Sequence, residues 1–199
     1  MSLSMEHTAS RLLLTSLPNV LTYGRILAVP LLVACLYFLE GDSARWSAFA
    51  LFVTASITDW LDGYLARAWE QQSTLGRMLD PIADKLLVGT TLIMLTHHNT
   101  IDGWHVWAAV IIMCREILVS GLREFLAGLH VQVHVTQLAK WKTMVQMVAL
   151  AVLLAGPAGD LMFPGVTATG LALLWLAALL TLWTGYDYLK AALLHAMER

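Results

Sequence analysis

Four aspartates occur in two pairs whose spacing matches one turn of an α-helix. Asp59 and Asp62 are three positions apart, and Asp80 and Asp84 are four apart. On helices, residues at these spacings lie on the same face. Two such helices side by side would bring the four carboxylates together, and oxygen ligands of this kind suit Mg²⁺ or Mn²⁺ bound with substrate phosphates. The spacing therefore predicts a carboxylate site for divalent metal.

The composition indicates that these aspartates lie in a membrane protein. The chain has 199 residues, 58% hydrophobic and 13% charged, whereas soluble domains are roughly 45–50% apolar. Its net charge of -2 argues against nucleic acid as a partner. Six apolar stretches approach the ~20 residues that a membrane-spanning helix needs. They cover about 20–39, 46–69, 79–96, 104–126, 138–155 and 166–188. We predict an all-α integral membrane protein with one membrane-embedded catalytic domain over residues 1–199.

The distribution of charge predicts the orientation of the six spans. The connectors at 40–43, 99–103 and 156–165 carry turn residues and share one face of the membrane, where Arg45 is the single cation. The other cations fall on or near the opposite side, so both termini are expected in the cytoplasm. The segment from Thr8 to Tyr23 is expected to form a short amphipathic interfacial helix before the first span. No cleavable signal peptide is expected.

Counting along the spans places charged groups from five helices at a similar depth. At a rise of ~1.5 Å per residue, these groups lie ~17–26 Å from the extracytoplasmic ends of their helices. A charge at such a depth is costly unless it faces a protein interior or a wet cavity. The sequence therefore predicts that the charged groups meet in the cytoplasmic half of the membrane. They are Asp59, Asp62, Asp80, Asp84, Arg25, Arg115 and Lys142.

The residues from Asp59 to Asp84 form a longer motif around the two aspartate pairs. They read Asp59-Trp60-Leu61-Asp62-Gly63-Tyr64-Leu65-Ala66-Arg67, then after eight positions Gly76, then Asp80 and Asp84. This string resembles the signature of the CDP-alcohol phosphatidyltransferases, D-x-x-D-G-x-x-A-R-x8-G-x3-D-x3-D, at every signature position. The six-helix layout with both termini inside is similar to that family too, so the resemblance covers essentially the whole chain.

The resemblance implies transfer of a phosphatidyl group from CDP-diacylglycerol to an alcohol, with release of CMP. It implies that two Mg²⁺ or Mn²⁺ ions bind the diphosphate of the CDP-lipid, that Asp84 is the general base, and that the protein is a homodimer. The implied metal site consists of Asp59, Asp62, Asp80 and Asp84. The residues implied to bind the nucleotide are Asp62, Gly63, Ala66, Arg67 and Gly76.

Three further stretches, 18–25, 115–124 and 140–146, point to the acceptor alcohol. They are similar to segments of bacterial family members that use glycerol 3-phosphate and make phosphatidylglycerophosphate, which implies a bacterial cytoplasmic membrane. Their positive charge exceeds what a neutral acceptor needs, and the planar fork of arginine suits a phosphate. The residues predicted to bind the acceptor phosphate are Arg25, Arg115, Arg123, Lys140 and Lys142.

Several alternatives remain open from the sequence. Arg115 could pair with Glu116 or Glu124 and only hold helices together, and Lys140 could bind lipid headgroups. The acceptor could instead be inositol phosphate, serine or phosphatidylglycerol. Buried carboxylates also line the pathways of ion carriers that are not enzymes, and membrane prenyltransferases bind diphosphate through aspartates at a different spacing. Release of CMP from a CDP-lipid separates the phosphatidyltransferase from both other classes.

Overall fold

The computed structural model describes residues 17–68, 74–128 and 137–197. Side chains lie outside this description at 17, 18, 60, 62–68, 74, 75, 77, 187, 188 and 191–197. The described chain is helical apart from short connections. The α-helices are α1 Leu17–Phe38, α2 Gly41–Ala68, α3 Thr74–His97, α4 Val106–Gly128, α5 Gln137–Asp160 and α6 Val166–Met197. A 3-10 helix at Gly103–His105 precedes α4.

A helix occupies each of the six positions predicted from the apolar stretches. By length and composition, four segments of the described chain are suited to cross a membrane: Asn19–Phe38, Gly103–Gly128, Gln137–Asp160 and Val166–Tyr186. Helices α2 and α3, which carry the aspartates, are less hydrophobic on average than the other four. The structure thus gives an all-helical chain with several apolar helices of membrane-spanning length.

Two predicted boundaries were wrong, and a third prediction lies mostly outside the described residues. The turn expected at 40–43 is shorter because α2 already begins at Gly41, and Asp42 in its first turn suits the positive end of a helix. The connector expected at 156–165 is helical as far as Asp160. Of the separate amphipathic helix expected from Thr8 to Tyr23, residues 8–16 lie outside the described residues, and 17–23 are the first turns of α1.

A kink inside α5 explains why the sequence there suggested a loop. Gly156 has φ 37° and ψ -123°, a conformation that side-chain-bearing residues rarely adopt. Pro157 follows and cannot donate a backbone hydrogen bond to the preceding turn. Glycine and proline therefore bend the helix here, and helical hydrogen bonding resumes up to Asp160.

The chain divides into two compact units, and the first extends to Met94. In this unit α1 packs against α2. The apolar interior includes Leu32 of α1 and Ala48 and Phe52 of α2, each fully buried. Helix α3 is connected to α1 by a hydrogen bond from the Thr22 hydroxyl to Asp80. This unit carries all the residues of the aspartate motif.

The second unit begins at Leu95 and is built around α6. Both α4 and α5 pack against α6. The fully buried side chains of this unit include Ile112 of α4, Leu153 of α5 and Leu174 of α6. Helix α6 begins after a short turn, where the Thr167 N–H donates a hydrogen bond of 3.1 Å to the Asp160 carboxylate. This unit carries four of the five predicted phosphate-binding cations.

Candidate active site

An acidic cluster forms in the first unit, where α2 supplies Asp59 and α3 supplies Asp80 and Asp84. All three side chains are half-buried. Asp59 and Asp80 are near enough for their like charges to interact, and Asp80 and Asp84 lie one turn apart on α3. Two consecutive helices thus each supply a motif carboxylate whose charge the other feels. The predicted convergence of all four aspartates stays a prediction.

Helix α1 contributes a partner to each of two aspartates. The guanidinium of Arg25, whose side chain is only 1% exposed, forms an ion pair with Asp59. The hydroxyl of Thr22 donates a hydrogen bond of 2.6 Å to Oδ1 of Asp80. Thr22 and Arg25 are three residues apart and share one face of α1. This face therefore supplies a positive charge and a hydrogen-bond donor to the acidic cluster.

These contacts extend the sequence-based description of the site. In the structure, Arg25 forms an ion pair with the motif residue Asp59. The binding of the acceptor phosphate by Arg25 stays a prediction. Thr22 had no predicted role, although it lies in the 18–25 stretch that resembles segments of bacterial family members. Its hydrogen bond joins residues 58 positions apart, and no local pattern in the sequence predicts such a pairing.

The rest of the motif is described only in part. Gly76 is buried near the start of α3. The backbone of the segment that contains Asp62, Gly63, Ala66 and Arg67 lies within α2, and the side chains of that segment are outside the described residues. The predicted convergence of Asp62 with the other aspartates, and the predicted nucleotide contacts of Arg67, therefore stay predictions.

The donor set of the acidic cluster fits a hard divalent cation. Mg²⁺ is usually bound through one or two carboxylates together with substrate phosphates and water. Asp59 and Asp80 supply such a pair, and a carboxylate that contacts Arg25 or Thr22 through Oδ1 has a second oxygen. Among the described side chains, no three His, Cys, Asp or Glu residues group closely enough to enclose a metal by themselves. The donor types, carboxylate oxygens, are those that a hard divalent cation prefers.

A second charged cluster lies in the other unit, where α4, α5 and α6 meet. We call it the basic cluster and define it as Arg115, Glu116, Lys142 and Thr184. Arg115 is 9% exposed and Lys142 is 3% exposed. Lys142 forms an ion pair with Oε1 of Glu116, and the same oxygen lies 3.5 Å from Nη1 of Arg115. Nη2 of Arg115 donates a hydrogen bond of 2.9 Å to the Thr184 hydroxyl.

The packing of α4 on α6 accommodates the arginine because a glycine faces it. A Cβ atom at Gly185 would lie 3.1 Å from Cγ of Arg115, closer than nearly all such contacts in proteins. The Thr184 hydroxyl in turn donates a hydrogen bond of 2.9 Å to the carbonyl oxygen of Leu180, one turn earlier on α6. Gly185 and Thr184 therefore fix the stem and the head of the Arg115 side chain together.

The other predicted phosphate ligands differ in burial. Arg123 on α4 and Lys140 on α5 are exposed, whereas Arg115 and Lys142 are buried. The pairing of Arg115 with Glu116 is one of the alternatives left open by the sequence. The structure shows this ion pair. The sequence did not indicate that Glu116 also contacts Lys142, which comes from another helix 26 positions away.

Comparison with known proteins agrees with the motif and covers most of the chain. The family model described as CDP-alcohol phosphatidyltransferase matches residues 15–183. This match includes the acidic cluster and all the residues of the basic cluster except Thr184, which lies just beyond it. More than half of the chain is therefore described by this one family.

Individual relatives are similar over nearly their whole length. A Rickettsia bellii protein is 47% identical over 88% of this chain and 94% of its own length. Proteins of Cereibacter sphaeroides and Escherichia coli are each 40% identical over 89% of this chain, and the matches cover 96% and 94% of those proteins. All three are named CDP-diacylglycerol–glycerol-3-phosphate 3-phosphatidyltransferase. The chain belongs to the CDP-alcohol phosphatidyltransferase family.

Proposed function

We propose that this protein transfers the phosphatidyl group of CDP-diacylglycerol to glycerol 3-phosphate, which gives phosphatidylglycerophosphate and CMP. The proposal rests mainly on sequence identity. The chain is 40–47% identical, over 88–89% of its length, to proteins named for this reaction. The paired carboxylates of the first unit and the buried cations of the second supply the two kinds of binding group that the substrates need.

The acidic cluster is proposed to bind the diphosphate of the CDP-lipid through divalent metal. Asp59 and Asp80, with Asp62, are the proposed ligands, and the metal would neutralise charge on the phosphoryl oxygens and on the CMP leaving group. Arg25 compensates the charge of Asp59 from the α1 side. Thr22 fixes one oxygen of Asp80, which orients the other. The helix α1 therefore prepares both carboxylates for their ligands.

Asp84 is the proposed general base and touches the acceptor alcohol. It lies one turn beyond Asp80 on α3 and is half-buried, so the negative charge of Asp80 is one helical turn away. As the acceptor hydroxyl attacks the lipid-side phosphorus, Asp84 takes its proton, and the bond from phosphorus to the CMP oxygen breaks. Removing this proton during attack keeps the hydroxyl oxygen nucleophilic.

The acceptor phosphate is proposed to bind to cations of the second unit. A phosphate monoester carries negative charge and several acceptor oxygens, which guanidinium groups bind well. Arg115 and Lys142 are held in place by Glu116 and Thr184. Arg123 and Lys140 are exposed to water, from which the acceptor enters the site. A neutral acceptor such as serine would give these cations no phosphate to bind.

The proposal includes the setting of the enzyme. All six helices are proposed to cross a bacterial cytoplasmic membrane as one catalytic domain, with both termini and the active site facing the cytoplasm. The clustering of Lys and Arg on one predicted side supports this orientation. A homodimer is proposed from the family resemblance. Reconstituted protein supplied with CDP-diacylglycerol and glycerol 3-phosphate should form a lipid with the mass of phosphatidylglycerophosphate, and absence of that lipid would contradict the proposal.

Replacing Arg123 with Gln is expected to raise KM for glycerol 3-phosphate roughly 10- to 100-fold, because a hydrogen bond to a charged group contributes about 1.5–3 kcal/mol. Arg123 is exposed, so its loss should leave the helices packed. KM for CDP-diacylglycerol should change far less. Initial rates of CMP release at varied substrate concentrations measure both constants.

Lys190→Gln is the matched control, since Lys190 is also exposed and lies toward the same predicted face. It removes the same charge without a predicted role in the site. Equal rises of KM in both variants would mean that Arg123 acts only through general attraction of anions.

A further inference from the structure

One carboxylate oxygen in the basic cluster serves two buried cations. Oε1 of Glu116 contacts Nζ of Lys142 and also lies 3.5 Å from Nη1 of Arg115. The side chains are 4% exposed for Lys142, 10% for Arg115 and 16% for Glu116. Three charged groups are thus withdrawn from water at one point, two of them positive and one negative.

Two like charges do not stay together in such surroundings without a group between them. Burial makes each charge costly and strengthens its interactions with neighbouring charges. Arg115 lies on α4 and Lys142 on α5, and the main packing partner of both helices is α6. The ion pair through Glu116 therefore joins α5 to α4 and brings the ammonium to the guanidinium.

The two cations of the basic cluster are the buried groups proposed above to bind the acceptor phosphate. Thr184 adds a neutral hydrogen-bond acceptor for Arg115. A phosphate monoester fits because an arginine fork and an ammonium can bind different oxygens of the same group.

We propose that Glu116 is a positioning residue for the acceptor phosphate: it holds Lys142 and Arg115 together as one anion-binding pair. Glu116 itself does not touch the phosphate, since two negative groups repel. Its carboxylate acts through the two cations, so its loss weakens binding of the acceptor and leaves the chemical step intact. This inference rests on the proposed function, because it assumes an acceptor that carries a phosphate.

Glu116→Gln tests the inference in full-length protein reconstituted in lipid. We expect KM for glycerol 3-phosphate to rise at least roughly tenfold, the effect of losing a charged hydrogen bond. At saturating glycerol 3-phosphate, kcat should stay within about threefold of the unmutated protein, and KM for CDP-diacylglycerol should be unchanged. Glu116→Asp keeps the charge on a shorter side chain and should give an intermediate KM.

Glu124→Gln is the matched control, because Glu124 lies on the same helix and is exposed. Its KM for glycerol 3-phosphate should equal that of the unmutated protein. A Glu116→Gln variant with unchanged KM, or with a fall in kcat alone, would overturn the inference. Should that variant fail to fold, Glu116→Asp decides, since an unchanged KM there would also overturn it.

The same assays separate this inference from the proposed function. If the unmutated protein uses glycerol 3-phosphate and Glu116→Gln has a normal KM, only the role of Glu116 is wrong. If the unmutated protein prefers inositol phosphate, the proposed acceptor is wrong. KM for inositol phosphate is then measured for the unmutated protein and for Glu116→Gln, and a raised KM in the variant supports the inference. Preference for serine would overturn both.

Discussion

Replacing Asp84 with Asn is expected to lower kcat by roughly 10²- to 10⁴-fold, the usual contribution of a general base. The amide has nearly the same size as the carboxylate but does not accept the proton of the attacking hydroxyl. Binding of CDP-diacylglycerol should be largely retained, because a base acts on the acceptor. CMP release at saturating substrates measures kcat, and equilibrium binding of CDP-diacylglycerol measures the retained affinity.

Two further variants make this result specific. Asp59→Asn removes a proposed metal ligand and should lose CDP-diacylglycerol binding together with turnover. Asp102→Asn removes the same charge from an exposed residue whose side chain makes no capping hydrogen bond, and it should behave like the unmutated protein. If Asp84→Asn lost CDP-diacylglycerol binding as severely as Asp59→Asn, Asp84 would be another ligand and not the base.

Removal of divalent metal is the second change with a large expected effect. A chelator should abolish CMP release, because the diphosphate of the CDP-lipid would then face the carboxylates of Asp59 and Asp80 without a cation between them. Adding excess Mg²⁺ or Mn²⁺ should restore the rate. The measurement is the initial rate of CMP release as a function of free metal concentration.

The unfolding temperature of the chelated protein serves as the control for this experiment. A lost rate with an unchanged unfolding temperature assigns the effect to the site and not to the fold. Arg25 already compensates Asp59 in the structure, so the protein is expected to stay folded without metal. Full activity in the presence of the chelator would contradict the proposed role of the carboxylates.

The helices could be predicted from the sequence because each depends on a local property. Apolar stretches of about the length needed to cross hydrocarbon gave the positions of all six. Their ends were less predictable: the residues at 40–43 and 156–165 suit both turns and helix ends. Gly156 and Pro157 bend α5, and helical hydrogen bonding continues beyond the bend to Asp160. Such a kink is not distinguishable from a loop by composition.

The acidic cluster could be predicted in part for a similar reason. The spacing of Asp80 and Asp84 places both carboxylates on one face of α3, and the resemblance to the family pairs that face with α2. The contacts of α1 with Asp59 and Asp80 depend on how the helices pack, and the sequence carries no periodic signal for them. Thr22 was therefore missed, and the ion pair of Arg25 with Asp59 was not predicted.

In the basic cluster, the sequence identified the charged residues but not their pairing. Arg115 and Glu116 are adjacent in the chain, so a contact between them was one of the alternatives. Lys142 is 26 positions from Glu116, and only the packing of α4 and α5 on α6 brings the two together. A charged residue in an apolar helix predicts a buried partner, but it does not identify which residue that partner is.

The most direct test of the proposed reaction is CMP release from CDP-diacylglycerol by the purified, reconstituted protein with each candidate acceptor in turn. The acceptors are glycerol 3-phosphate, inositol phosphate, serine and phosphatidylglycerol, supplied at equal concentration with Mg²⁺. We expect rapid CMP release with glycerol 3-phosphate and rates near the acceptor-free background with the other three. Faster release with any other acceptor would contradict the proposed acceptor, and absence of CMP release with all four would contradict the proposed reaction.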